Sequence, residues 1–144
     1  NLRIGMNSRM DTIQAAVLLQ KLTIFEDEIE ARNKVAGRYA AGLSDVVTVP
    51  KVIDGGVSVW AQYTIETADR DGLAAHLKSQ DIPSAVYYPI PFHRQPCFAY
   101  LGANAKDFPV AEQAAATALA LPIFQGLTEG EQIDVVGALA KFAR

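Results

Sequence analysis

Asn7, Ser8 and Arg9 place an amide, a hydroxyl and a guanidinium just ahead of a strongly apolar run, residues 13–19. The start of a helix leaves N–H groups unpaired and carries partial positive charge, so this corner suits an anion such as a phosphate. The Asn7 amide is an N–H donor for a phosphate oxygen, and Arg9 can grip a phosphate or a carboxylate with two parallel bonds. Each has a plainer use: Asn7 or Ser8 as the helix cap, and Arg9 in a surface ion pair with Asp11. A second group is Tyr87, Tyr88, His93 and Gln95, in a stretch broken by Pro89, Pro91 and Pro96. Irregular backbone on a rigid scaffold is where side chains are held over a pocket. The two tyrosines alternate at the end of an expected strand, so one packs inward and the other is free to face such a pocket. His93 reads as a polar contact, its plainer use being a bond to loop backbone. Three other residues read as structural: Cys97 as a small buried residue, His76 as a mid-helix surface residue and Trp60 as packing for a hairpin.

The elements that must position these groups are legible in part. Residues 10–43 read as helix, broken in two near Leu22 and Thr23. Residues 13–19 are apolar on nearly every face, which predicts a helix buried all round. In the second half Phe25, Ile29, Ala36, Tyr39 and Leu43 share a stripe. Glu28 with Arg32, and Glu30 with Lys34, fall at i,i+4 on its wet side. Gly42 stands near the expected end. A short strand follows at residues 46–49, stopped by Pro50, and Asp54, Gly55 and Gly56 supply a turn. Residues 57–66 alternate with period 2, which predicts an antiparallel hairpin. Asp69 caps a helix reaching about Gln80, with Leu73 and Leu77 inward. Residues 82–88 read as a strand. Pro109 opens a helix to about Leu119, ended by Pro122. Thr128 and Glu131 form a capping-box pattern that starts a last helix through Phe142. The order ααββαβαα predicts an α+β domain, a small antiparallel sheet flanked by helices.

With 144 residues, the chain is long enough for one domain with a real core. A net charge of −3 leaves no basic footprint and argues against nucleic acid as partner. No apolar run approaches the roughly 20 residues that span a bilayer, which argues against a membrane. A single cysteine excludes an internal disulfide, supplies a metal site poorly and fits a reducing, cytoplasmic setting. There is no start Met and no targeting pattern, and the chain reads as the C-terminal part of a longer polypeptide.

Three segments together resemble the nucleotide-sugar aminotransferases of the DegT/DnrJ/StrS group. The first is Gly5-Met6-Asn7-Ser8-Arg9-Met10-Asp11 running into Gln14-Ala15-Ala16; the second is Tyr87-Tyr88-Pro89-Ile90-Pro91-Phe92-His93-Arg94-Gln95-Pro96. The third is Phe108-Pro109-Val110-Ala111-Glu112, followed by Leu119-Ala120-Leu121-Pro122. The resemblance covers essentially the whole chain. It implies the aspartate-aminotransferase fold (pyridoxal-phosphate fold type I), with residues 1–44 as interdomain linking helices and 45–144 as the small C-terminal α+β domain. It implies pyridoxal 5'-phosphate (PLP) as cofactor, held by a lysine in a large N-terminal domain. Lys21, Lys34, Lys51, Lys78, Lys106 and Lys141 all lack that lysine's context, so the chain supplies no catalytic residue and no metal site.

The resemblance makes Asn7 and Arg9 cofactor-binding, Asn7 reaching the PLP phosphate of the other subunit of a homodimer. It makes Arg9, Tyr87, Tyr88, His93 and Gln95 substrate-binding. The implied substrates are glutamate, as amine donor, and a nucleotide-linked keto sugar. The form of the Tyr87 to His93 segment is closer to enzymes that aminate C3, including that of uronic acids, whose carboxylate Arg9 can meet. The implied setting is cytoplasmic synthesis of surface polysaccharides or antibiotic sugars. Two alternatives stay open. One is a PLP-dependent sugar dehydratase of the same fold. The other is a non-catalytic dimerisation or binding module using residues 13–22 as an oligomer surface.

Overall fold

The computed structural model describes residues 1–143. After an arm without regular structure, helix α1 runs over Thr12–Leu22 and helix α2 over Phe25–Leu43. Asp11, not Asn7 or Ser8, caps α1: its carboxylate accepts from the Gln14 N–H at 2.8 Å, and the Gln14 side chain accepts from the Asp11 N–H at 3.1 Å. Glu26, Asp27 and Glu28 fill the first turn of α2, where carboxylates offset the helix dipole. The inner stripe of α2 buries Val35, Ala36, Tyr39 and Leu43, while Phe25 stays exposed. On its outer side Lys34 pairs with Glu30 at 2.6 Å. Glu28 and Arg32 do not pair. Glu28 accepts from Gln125, and Arg32 turns to the backbone of Trp60.

Strand β1, Tyr63–Glu66, pairs antiparallel with strand β2, Ala118–Leu121, Tyr63 opposite Leu121 and Ile65 opposite Leu119. Helix α3, Arg70–Ser79, is capped by Asp69, which accepts from the Gly72 N–H at 2.9 Å. Asp81 takes a left-handed φ of 58° just beyond α3, and the Ile82 N–H returns to the Leu77 carbonyl at 3.0 Å. That closure is how a helix ends when a left-handed residue follows it. Three short 3-10 turns, Phe92–Arg94, Pro96–Leu101 and Ala105–Asp107, lead to helix α4, Pro109–Thr117. Helix α5, Glu129–Phe142, starts with the expected capping box between Thr128 and Glu131. Helices α2 and α3 both pack on α5, and the core is Tyr39, Leu43, Tyr63, Ile65, Leu73, Leu77, Leu119 and Leu139.

The α+β class holds, but several local expectations are corrected. Helix α1 is not buried all round; Ile13 is 79% and Leu19 63% exposed, because this chain sets no element over its outer faces. Residues 46–49 contribute one bridge, Thr48 opposite Glu66, rather than a strand. Residues 57–66 form no hairpin of their own. Trp60 adopts φ 48°, which breaks the extended run, and only Tyr63–Glu66 remains a strand. The cause lies in α2: Arg32 donates to the Trp60 carbonyl at 2.9 Å and Asn33 to the Ser58 carbonyl at 3.0 Å. The Trp60 indole donates back to the Asn33 side chain at 2.9 Å. Residues 82–88, bracketed by prolines without N–H donors, keep one bridge, Ala85 opposite Ala120. The helix begun at Pro109 stops at Thr117, because residues 118–121 are drawn out to pair with β1. His76 is half-buried, with Nε2 3.1 Å from the Ala138 carbonyl oxygen and its ring beside Phe142.

Candidate functional site

The proline-broken loop and α4 form the two walls of a groove of about 660 Å³. Its loop wall carries Tyr87, Tyr88, Phe92 and Gln95. Its opposite wall is alanine: Ala111, Ala114 and Ala115, at i, i+3 and i+4 on one face of α4, then Ala118 at the start of β2. Small residues there leave room for a flat body against the aromatic wall. The peptide bond joining Tyr87 and Tyr88 is cis. Neither tyrosine packs inward: both line the groove and both are exposed, their rings edge-on at 5.9 Å. Gln95 closes the loop on itself by donating to the Ile90 carbonyl at 3.0 Å, and its side-chain oxygen accepts from the Asn1 amine. The Cys97 N–H donates to the Asn1 carbonyl, so the start of the arm lies against this loop.

Further along that arm, Asn7, Ser8 and Arg9 are exposed and belong to no helix or strand. Arg9 donates to the carbonyls of Asn7 and Ser8 at 3.3 and 3.1 Å, and it makes no ion pair with Asp11. The Asn7 amide and the outer Arg9 guanidinium edge are N–H donors, the donor set that a phosphate needs. The Asp11 carboxylate already takes an N–H of the first turn of α1, so the helix end itself is partly spent. Neither Asn7 nor Arg9 lines the groove.

His93 sits behind the loop wall rather than in the groove. Its side chain is 9% exposed, its Nε2 lies 2.8 Å from Glu112 Oε1, and its ring lies against Phe108 in a tilted arrangement, centroids 4.7 Å apart. Arg94 Nη1 lies 3.2 Å from the other oxygen of the same carboxylate. The loop histidine therefore bonds to an acid from α4, not to backbone. Glu112 and the alanine face went unassigned in the sequence. Glu112 closes the segment of residues 108–112, and Ala111, Ala114 and Ala115 share the i,i+3,i+4 spacing of one helix face.

None of the six lysines lines the groove. Among the described residues there is no group of three or more His, Cys, Asp and Glu side chains placed to hold a metal, and no helix is long and apolar enough to cross a membrane. Cys97 is half-buried. Another cavity, of about 630 Å³ beside α5, is lined by Asp81, Phe124, Ile133 and Lys141 and receives nothing from the arm or the proline-broken loop.

The model of the DegT/DnrJ/EryC1/StrS aminotransferase family matches residues 1–140. The chain is 44% identical over 145 residues to a pleiotropic regulatory protein of Geobacillus stearothermophilus, covering 98% of this chain and 39% of that protein. It is 44% identical over 124 residues to the UDP-2-acetamido-2-deoxy-3-oxo-D-glucuronate aminotransferase of Pseudomonas aeruginosa, covering 85% and 34%. Among solved structures, S. venezuelae DesV in complex with a ketimine intermediate superposes with a TM-score of 0.90 at 32% identity, covering 97% and 38%. The chain thus spans less than two-fifths of the length of these relatives.

Proposed function

The chain belongs to the DegT/DnrJ/EryC1/StrS aminotransferase family, and from that premise we propose that it works as the C-terminal part of a PLP-dependent sugar aminotransferase. The reaction moves an amino group from glutamate to the 3-keto group of a nucleotide-linked sugar. PLP, when bound, supplies the electron sink for that transfer. The observation that carries the reading is the groove between the tyrosine loop and the alanine face of α4. It belongs to a chain 44% identical to an enzyme named for a UDP-linked 3-oxo sugar acid. Other relatives named as transaminases of 3-amino sugars favour amination over the dehydratase alternative.

The residues take separate roles. Tyr87 and Tyr88 offer their ring faces and hydroxyls to the sugar, and the alanine wall leaves space for it. Gln95 holds the loop in place and offers an amide at the groove's edge. Asn7 donates to the cofactor phosphate. Arg9 grips either that phosphate or the substrate carboxylate. Both stand on an exposed arm, where the second subunit of a homodimer can bring its cofactor to them. The bare apolar faces of α1 support such an assembly. No lysine lines the groove, so the covalent anchor for PLP falls in the part of the relatives that this chain does not span. Nucleotide-linked sugars are cytoplasmic metabolites, and the enzyme's setting follows them.

Cofactor retention in the intact enzyme tests the reading. Asn7→Ala should weaken PLP binding about tenfold, the cost of losing one hydrogen bond to a charged group, with unchanged circular dichroism. An unaltered PLP affinity contradicts the role given to the arm.

A further inference from the structure

We propose that Glu112 is a positioning residue for the sugar site. Its carboxylate ties the loop wall of the groove to the helical wall and so fixes the groove's width. The inference rests on the reading of this groove as the sugar site.

The geometry is specific. Glu112 lies in the first turns of α4, next to Ala111, which lines the groove. It binds His93 through one oxygen at 2.8 Å and Arg94 through the other at 3.2 Å. Those two residues are flanked by Phe92 and Gln95, which line the opposite wall. The clamp therefore joins the walls at points one residue away from the ligand-facing surface on each side. Its His93 half is also sheltered, the His93 side chain being 9% and that of Glu112 25% exposed, whereas Arg94 is 54% exposed. A charge-assisted bond in such a place is stronger and more directional than a surface ion pair. The loop has little else to hold it there. It forms no strand, and its other side-chain ties are the Gln95 bonds to the Ile90 carbonyl and the Asn1 amine and the contact of the His93 ring with Phe108. The groove itself has no charged side chain, so Glu112 acts through the wall and not on the substrate.

The test uses the intact enzyme, with UDP-2-acetamido-2-deoxy-3-oxo-D-glucuronate and glutamate as substrates. Steady-state kcat and KM are read together with calorimetric Kd for the UDP-linked amino sugar product. Glu112→Ala should raise KM for the sugar and Kd for the product about tenfold while kcat changes less than about threefold, the pattern of lost ground-state positioning. Glu112→Gln keeps an oxygen acceptor for His93 and should recover most of the affinity. His93→Ala removes the His93 bond but leaves the Arg94 bond to Glu112, so it should cost part of what Glu112→Ala costs, and the double variant should be no worse than Glu112→Ala alone. Ala115→Leu, which fills the groove from the helical side, should also raise KM.

If Ala115→Leu leaves KM unchanged, the groove is not the sugar site and both readings fall. If Ala115→Leu raises KM but Glu112→Ala lowers only the melting temperature, the clamp is merely structural and this proposal alone falls. Additive losses from Glu112→Ala and His93→Ala likewise overturn it, since His93 would then meet the substrate on its own account. Should Glu112→Ala fail to fold, the Glu112→Gln and His93→Ala pair decides: equal affinities in those two contradict the proposal.

Discussion

Tyr63 is fully buried, and its hydroxyl finds no hydrogen-bond partner, whereas Tyr39 beside it donates to the Pro122 carbonyl at 3.0 Å. Burial pushes the Tyr63 hydroxyl up to about 12 and that of Tyr39 higher still. An unpaired buried hydroxyl costs about 1–3 kcal/mol, and replacing it by a ring of the same shape removes that cost. Tyr63→Phe should therefore hold or raise the urea midpoint, while Tyr39→Phe should lower it by stranding the Pro122 carbonyl. A Tyr63→Phe protein markedly less stable than the parent would mean that the hydroxyl has a partner. Glu131 gives the opposite kind of case. Bonds from the Thr128 hydroxyl and N–H hold its carboxyl below its ordinary 4.5. A depressed folded value means stabilisation that is fully present above that ordinary value and lost as pH falls through the folded one. The gap in melting temperature between the parent and Glu131→Gln should be constant near neutrality and close as acid is added. A gap that widens in acid would contradict the assignment. The Thr128 and Glu131 pair was legible because a capping box is local. Glu112 was not, since its partners His93 and Arg94 lie far upstream and only the folded chain brings them to it.

The same division holds for whole elements. Asp69 with Leu73 and Leu77, and Thr128 with Glu131, announced α3 and α5 through caps and periodicity, and both helices end within a residue or two of expectation. Strand β2 was hidden because Ala118, Leu119, Ala120 and Leu121 are good helix formers; pairing with β1 overrides that preference. The reverse happened at residues 57–62. Their alternating pattern suggests a strand, but Arg32 and Asn33 on α2 capture that backbone first. The pairing makes a direct prediction. Leu119 is fully buried opposite Ile65, so Leu119→Ala should cost about 2–5 kcal/mol in urea unfolding, the usual loss for a core leucine. A loss under about 1 kcal/mol, typical of a surface position, would contradict the burial of this strand.

For the molecule as a whole, the informative surface is the uncovered one. Ile13, Val17, Leu19 and Leu22 leave α1 with apolar faces that the rest of the chain does not cover. An apolar patch of this kind marks an interaction surface. The apolar run at residues 13–19 indicated a helix built for burial, and the resemblance to a longer enzyme placed its cover outside this chain. Residues 1–144 alone should therefore self-associate, and Ile13→Glu with Leu19→Glu should return them to monomer in sedimentation velocity. A clean monomer of the unaltered chain at high concentration would argue that α1 needs no cover. The central claim is that this chain supplies the sugar-holding groove of an aminating site whose reactive amine comes from elsewhere. Nitrogen-labelled glutamate, given with UDP-2-acetamido-2-deoxy-3-oxo-D-glucuronate and PLP, tests it directly by mass spectrometry of the sugar product. The account predicts label in the sugar from the intact enzyme and none from residues 1–144 alone. Label transferred by this chain alone, or no transfer by the intact enzyme to that sugar or to any nucleotide-linked keto sugar, would contradict it.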